Sequence, residues 1–429
     1  MLKVLSLLLR PIGTAFLVLS SLLVSADCVN AQQFKAAAGK VDITPVQPAF
    51  IAGYGNNRKS VDAHDRLFAR CIVIERGSQR IALVSCDLIG VPRFEILNIR
   101  SMVNSVAAEN VIIGATHTHS GPDTLGMWGP ALTVSGVDKK WLIHTEKQIA
   151  ELVDQTALNL EPAIARFAST SDVRGISKNI RVPAILDTQL AVVQFVTAVN
   201  PRTIATIVNY ACHPEILNNH HITADFPHWL YETVETALGG TCVYFNGAQG
   251  GMVTAAYDVS TAPRGENWAA AEAIGKMLGT RTLEVLHDAT AITDPELTIA
   301  KRKFHIPLEN ARYRTLIKMK VFSGAPDPDG TLETEVCRIG IGPAEFLTIP
   351  GEALPNVGFY IKRLMHGNPK FLLGLTNDFL GYILAPEDFG LELYSYESGQ
   401  SAGSSLEPLM IQNDKLLLER SATETKPVH

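Results

Sequence analysis

Val111-Ile112-Ile113-Gly114-Ala115-Thr116-His117-Thr118-His119-Ser120-Gly121-Pro122 is the stretch on which the reading of the fold turns. Its apolar start has the composition of a buried strand, and its end, Ser-Gly-Pro, forces the backbone to turn. Side chains alternate along an extended segment, so His117 and His119 lie on the same side and can face one space at the strand's end. Imidazole is a good zinc ligand and also moves protons near neutral pH. A His-x-His pair on its own is as compatible with loop packing as with metal binding or catalysis. The choice depends on what the rest of the chain brings to it.

The same arrangement recurs further along. An apolar strand over 202–208 runs into Asn209-Tyr210-Ala211-Cys212-His213-Pro214-Glu215, and another over 241–245 exits into Asn246-Gly247-Ala248-Gln249-Gly250-Gly251. Phe346-Leu347-Thr348-Ile349 leads to Pro350-Gly351-Glu352. Upstream, 67–74 and 81–86 read as a β-hairpin turning at Arg76-Gly77. Amphipathic periodicity predicts helices over 94–106, 141–158, 226–238, 268–286 and 357–365, and alternation predicts strands over 297–307 and 331–341. The Gly-, Trp- and Pro-containing loop 125–137 lies beside the histidines in sequence and reads as a pocket rim. No long linker divides the chain and no tandem repeat is seen. These patterns predict an α/β fold: mixed β-sheets flanked by helices in a single large domain over 34–415, with the site on strand-exit loops and a loose tail over 416–429.

Composition narrows the class. The 429 residues are 46% hydrophobic and 19% charged, which excludes a disordered chain. A net charge of -6 without a basic block gives no reason to expect nucleic acid as a partner. Residues 1–31 read as a cleavable secretory signal, with Lys3 and Arg10 ahead of an apolar run and Val29-Asn30-Ala31 at the cleavage point. This predicts a secreted or periplasmic protein. Cys71, Cys86, Cys212, Cys242 and Cys337 remain beyond that point. Their wide spacing fixes no disulfide, and the apolar runs around Cys71, Cys86 and Cys242 suit buried thiols.

His117, His213 and Glu352 make the two-histidine, one-carboxylate set used by hydrolytic zinc sites, with Tyr382 as an additional, weaker oxygen donor. Zinc in such a site activates water near pH 7 and polarises a carbonyl. His119 would then face the cavity without ligating, free to pass a proton to the leaving group. The bland alternatives are a loop role for His117, a turn role for His213 before Pro214, a solvated Glu352 and core packing for Tyr382. His220 and His221 are given no role in the site, and Cys212 has no obvious partner set for a thiol nucleophile. The chain has no His-Glu-x-x-His helix.

Five motifs together carry a resemblance: Gly39-Lys40-Val41-Asp42-Ile43-Thr44-Pro45, Ala115 to Pro122, Asn209 to Pro214, Ile349-Pro350-Gly351-Glu352, and Gly381-Tyr382 with Pro386-Glu387-Asp388-Phe389. In order and spacing, over roughly 36–400, the chain resembles the neutral/alkaline non-lysosomal ceramidase family in its N-terminal catalytic domain. That family hydrolyses the amide of ceramide to sphingosine and a fatty acid, using zinc. The resemblance implies Zn2+ held by His117, His213, Glu352 and Tyr382, with His119 assisting the substrate amide. It also implies a second tyrosine near the developing oxyanion, Tyr396 or its competitor Tyr394, and a substrate-contacting arginine at Arg181. Two departures stand out. Gly250-Gly251-Met252-Val253-Thr254 replaces the family's Gly-Asp-Val-Ser-Pro, and Asn179-Ile180-Arg181 replaces an Asn-Arg pair. The immunoglobulin-like C-terminal domain typical of ceramidases is not expected here.

The sequence thus predicts a zinc amidohydrolase acting on a small-molecule amide or lipid, with peripheral membrane contact to reach a lipid. A zinc hydrolase of another amide or ester, and an exported zinc-pocket binding protein without activity, are the competing readings.

Overall fold

The computed structural model describes residues 33–46, 48–258, 260, 265–322 and 326–424, with side chains through 419. The segment 1–31 read as an export signal lies outside the described residues. The principal sheet has nine strands. From one edge they run Thr241–Asn246, Thr203–Tyr210, Leu190–Thr197, Glu161–Thr170, Lys35–Asp42, Phe68–Arg76, Gln79–Cys86 and Val111–Ala115, with Thr290–Ile292 beside Glu161–Thr170. The hairpin read at Arg76-Gly77 is present, pairing Phe68–Arg76 with Gln79–Cys86. The outermost pair at each end is parallel and the inner pairs are antiparallel.

Strand twist curls this sheet until its two edges meet. Asn246 Nδ2 donates to Thr116 O at 3.1 Å, and Ser85 Oγ donates to Tyr244 O at 2.5 Å. The curl brings the exits of Val111–Ala115, Thr203–Tyr210 and Thr241–Asn246 to one rim. The exits after Ala115 and Tyr210 are 95 residues apart in sequence, yet His119 N donates to Pro214 O at 3.0 Å.

A second sheet orders Leu297–Pro307, Thr331–Ile341, Ala344–Thr348 and Lys370–Leu373, the last pair parallel. The two sheets bury their facing sides in one core, where Ile112, Phe195, Ile207 and Phe245 meet Ile339, Phe346 and Phe371. Helices Arg93–Met102 and Lys139–Ala157 cover one part of the principal sheet's outer face. Phe226–Leu238 and Trp268–His287 cover another part, and Pro355–Leu364 and Leu406–Glu424 pack on the second sheet. The result is a layered α–β–β–α arrangement in which strands buried on both faces read as unbroken apolar runs. Asp138 and Asp225 start their helices by accepting backbone N–H groups, as N-cap carboxylates do.

One expectation changes. The tail expected to be loose from 416 is helical through Glu424, because Met410, Ile411, Leu417 and Leu418 bury one face of that helix. Five cysteines are free and buried among the described residues, with no disulfide. No helix of the described residues is long and apolar enough to cross a membrane.

Candidate metal centre

His117 opens the site with a left-handed backbone, φ 74°, a conformation uncommon outside glycine. Its N–H is held by Leu88 O at 2.9 Å, and Thr116 N donates to Cys86 O at 2.9 Å. That turn sets Nδ1 of His117 2.5 Å from Ile89 O. A nitrogen facing a carbonyl must carry the proton, so Nε2 is the lone-pair nitrogen. His213 is oriented the same way: its backbone N and its ring Nδ1 both donate to Val253 O at 2.9 Å. Orientation of a ligand imidazole by a carbonyl on its far nitrogen is the usual second layer of a metal site.

Both Nε2 atoms converge on one carboxylate oxygen. Glu352 Oε2 lies 3.2 Å from His117 Nε2 and 3.0 Å from His213 Nε2, and all three side chains are buried. Two imidazole lone pairs and a carboxylate oxygen repel unless a cation sits among them, either added protons or a metal ion. Burial alone would raise the Glu352 carboxyl, but the two imidazoles overcome it and hold the carboxyl well below its ordinary range. Burial likewise disfavours charge on His213, yet Glu352 pushes that ring up to about 9. The donor set and its excess negative potential fit a divalent cation such as zinc.

His119 completes a cluster of three histidines whose ligand atoms lie within 4.8 Å of one another, a group able to hold a metal ion. Its setting differs from that of the other two. Neither ring nitrogen has a hydrogen-bond partner, and the carboxylate oxygen paired with it, Glu215 Oε2, stands 3.8 Å from Nδ1. Burial, followed by His117 and His213, pushes its pKa well below 6.5, so the ring is neutral at pH 7.

The loop 53–58 shapes His119, and the sequence reading gave that loop no role in the site. Gly53 has φ +99°, and a Cβ there would sit 2.4 Å from His119 Cγ. The Tyr54 ring meets His119 edge-on at 5.2 Å while its hydroxyl donates to Glu215 O. Arg58 Nη2 donates to His119 O. Glycine punctuation at Gly53 and Gly55 was the one available signal, and it does not say what the loop approaches.

Tyr382 lies directly across from Glu352 in a parallel two-strand pairing, Glu352–Ala353 with Tyr382–Ile383. The Tyr396 ring packs edge-on to Tyr382 at 5.9 Å, whereas Tyr394 belongs to the core beneath the second sheet. Burial, then the charge of Glu352, raises the pKa of both Tyr382 and Tyr396. Arg181 reaches the same segment through Glu397, with Nε 2.7 Å from Oε1 of that fully buried carboxylate. In the glycine-rich exit, Gly251 and Met252 are both left-handed, and Val253 contributes its carbonyl to His213. Gln249 is fully buried and neither polar atom of its side chain is paired.

Loop 125–137 does form a rim. Leu125 and Met127 line a largely apolar cavity of about 270 Å³ with Tyr313, Ile317, Phe322 and Phe379. Phe379 also stacks on His117, with centroids 6.2 Å apart. The cavity therefore lies one aromatic ring from the metal centre.

Over residues 34–228 the chain matches the family described as neutral/alkaline non-lysosomal ceramidase, N-terminal. The matched residues include His117, His119 and His213, while Glu352 and Tyr382 lie beyond them. The chain is similar to the neutral ceramidase of Pseudomonas aeruginosa, with 26% identity over 218 residues covering 45% of this chain and 32% of that protein. The alignment thus spans about a third of the relative's length. The crystal structure of neutral ceramidase from Pseudomonas aeruginosa superposes with a TM-score of 0.73 at 19% identity, covering 91% of this chain and 75% of the other. A structure of ceramidase complexed with C2 also superposes with a TM-score of 0.73, at 18% identity over 91% and 76% of the two chains. At such identities the superpositions speak to the ceramidase fold.

Proposed function

We propose that the protein is a zinc-dependent amidohydrolase that cleaves an N-acyl amphiphile, as a ceramidase does, into an amine and a fatty acid. The observation that carries this reading is the convergence of His117 Nε2, His213 Nε2 and Glu352 Oε2 on one buried point. These three, with Tyr382 beside Glu352, are the residues that would hold the metal. When bound, the ion supplies Lewis acidity and a water activated at neutral pH.

The remaining chemistry falls to this chain's own side chains. His119 is neutral, unpaired on both nitrogens and next to the metal ligands, so it can take a proton at Nε2 or Nδ1 and deliver it to the leaving amine. Tyr396, half exposed beside Tyr382, would donate its hydroxyl proton to a developing oxyanion. Arg181 acts through Glu397, fixing the turn that presents Tyr396. The apolar cavity behind Phe379 supports an acyl-bearing substrate. Export through residues 1–31 and peripheral contact with a membrane are part of the same proposal.

A second reading, hydrolysis of another amide or an ester, draws on Gly251 and Val253, which leave the glycine-rich exit without acidic or hydroxyl side chains at those positions. The test is turnover of short- and long-chain N-acylsphingosine, simple N-acyl amides and esters by zinc-loaded protein, with and without chelator. Chelator-sensitive release of sphingosine is expected. Ester-only turnover moves the assignment to the second reading, and stoichiometric metal without turnover of any amide or ester overturns both.

A further inference from the structure

We propose that the face built by residues 131–134 and the end of helix Ala311–Lys318 docks on an anionic lipid surface. The choice of a bilayer as occupant rests on the N-acyl amphiphile reading. The docking itself is argued from this face.

Leu132, Val134 and Met319 are 65%, 48% and 48% exposed. Leu132 and Met319 line one shallow groove with Ala311, Arg312 and Thr315, so loop and helix present a joint apolar edge. Arg312 lines that groove, and Arg314, Lys318 and Lys320 on the same short stretch are exposed; none forms an ion pair among the described residues, and Arg314 Nη1 donates to Leu308 O at 2.7 Å. Residues 311–320 contain four cations and no acid, in a chain whose net charge is -6. Exposed apolar tips beside a stretch of cations outside any ion pair match the two components of an anionic bilayer surface, acyl chains and charged headgroups.

The face is held rigid. The Asp123 carboxylate accepts from the backbone N–H of Leu125, Gly126, Trp128 and Gly136 at 2.8–3.2 Å, which fixes the loop that carries Leu132 and Val134. Gly126, at φ +88°, lies so close to Val321 O that a Cβ would stand 1.9 Å from it, locking the loop to the chain just after the helix. The same loop and helix also wall the apolar cavity through Met127 and Ile317, and the cavity ends at Phe379 against His117. A bilayer on this face would therefore lie beside the cavity that an acyl chain would use.

Co-sedimentation of the purified chain with phosphatidylcholine vesicles, with and without phosphatidylglycerol, tests the proposal. Binding is expected to the anionic vesicles and to weaken as salt rises. At roughly fivefold per cation, Arg312→Ser, Lys318→Ser and Lys320→Ser combined should weaken it on the order of a hundredfold. Leu132→Asp with Met319→Asp should weaken it at low salt as well. No binding to anionic vesicles, equal binding by all variants, or a dimer broken by Leu132→Asp would overturn the proposal, the last assigning the face to a second copy. The triple Ser variant should keep wild-type turnover of a monomeric short-chain substrate. Vesicle binding without turnover of any amide would instead remove the amidohydrolase reading and leave the docking face standing.

Discussion

An alanine at position 53 would carry its Cβ 2.4 Å from Cγ, 2.5 Å from Cβ and 2.7 Å from Cα of His119. Carbon atoms rest at about 3.5–4.0 Å, so either the loop at 53 or His119, main chain included, must retreat by about 1 Å. The native backbone there has φ +99°, which adds about 1–3 kcal/mol of strain for an L side chain. A displacement of about 1 Å in a group that handles protons costs on the order of a hundredfold in kcat/KM. The three atoms nearest that Cβ all belong to His119, so the clash falls on His119 and zinc content should hold. The assay is kcat/KM on a short-chain N-acylsphingosine, zinc by mass spectrometry and thermal denaturation, all on one preparation. Gly53→Ala is expected to lose activity about a hundredfold, keep its zinc and melt lower. Wild-type kcat/KM would refute the reasoning, and parallel loss of zinc and activity would make His119 a ligand.

The remaining predictions concern His119, Asp414 and the thiols. His119→Ala should retain zinc while losing about a hundredfold or more in kcat, and metal analysis beside steady-state kinetics separates this from a ligand's loss. Asp414 is fully buried with neither oxygen hydrogen-bonded, and burial raises its carboxyl well above the ordinary range. A carboxyl raised in the folded state favours folding below its unfolded value of about 3.9 and loses that contribution as pH rises toward the folded value. Asp414→Asn should therefore match the wild type near pH 4 and gain on it by about 1.4 kcal/mol per pH unit until Asp414 ionises. Urea denaturation across pH checks this, and a gap independent of pH would contradict it. Burial pushes the Cys71 and Cys337 thiols up to about 12 and raises those of Cys86, Cys212 and Cys242 as well. A thiol reagent should find those five cysteines silent in the native protein and reactive after denaturation.

The sequence made the centre legible where chemistry coincides with a local pattern. Val111–Ala115 announces itself as a buried strand, and Ser-Gly-Pro marks its exit, so His117 and His119 could be singled out. His213 and Glu352 followed from the same logic at other strand ends. The missing parts are those carried by the backbone or by distant approach. Ile89 O and Val253 O orient the two imidazoles, and a carbonyl has no residue signature. Gly53 and Arg58 touch His119 across more than sixty residues, with no periodicity to record it. The terminal helix was hidden because Asn413 and Asp414 interrupt its buried face, so 416–429 read as loose. Tyr394 and Tyr396 are two apart in a segment that is not a strand, and only packing distinguishes the one in the core from the one against Tyr382.

Zinc content of the purified chain, measured beside His213→Ala and Glu352→Gln at matched folding, tests the central claim most directly. One zinc per chain in the wild type, with most of it lost in both variants and circular dichroism unchanged, is the predicted result. Full occupancy in His213→Ala, or a wild type that takes up no divalent metal when loaded, would contradict the account.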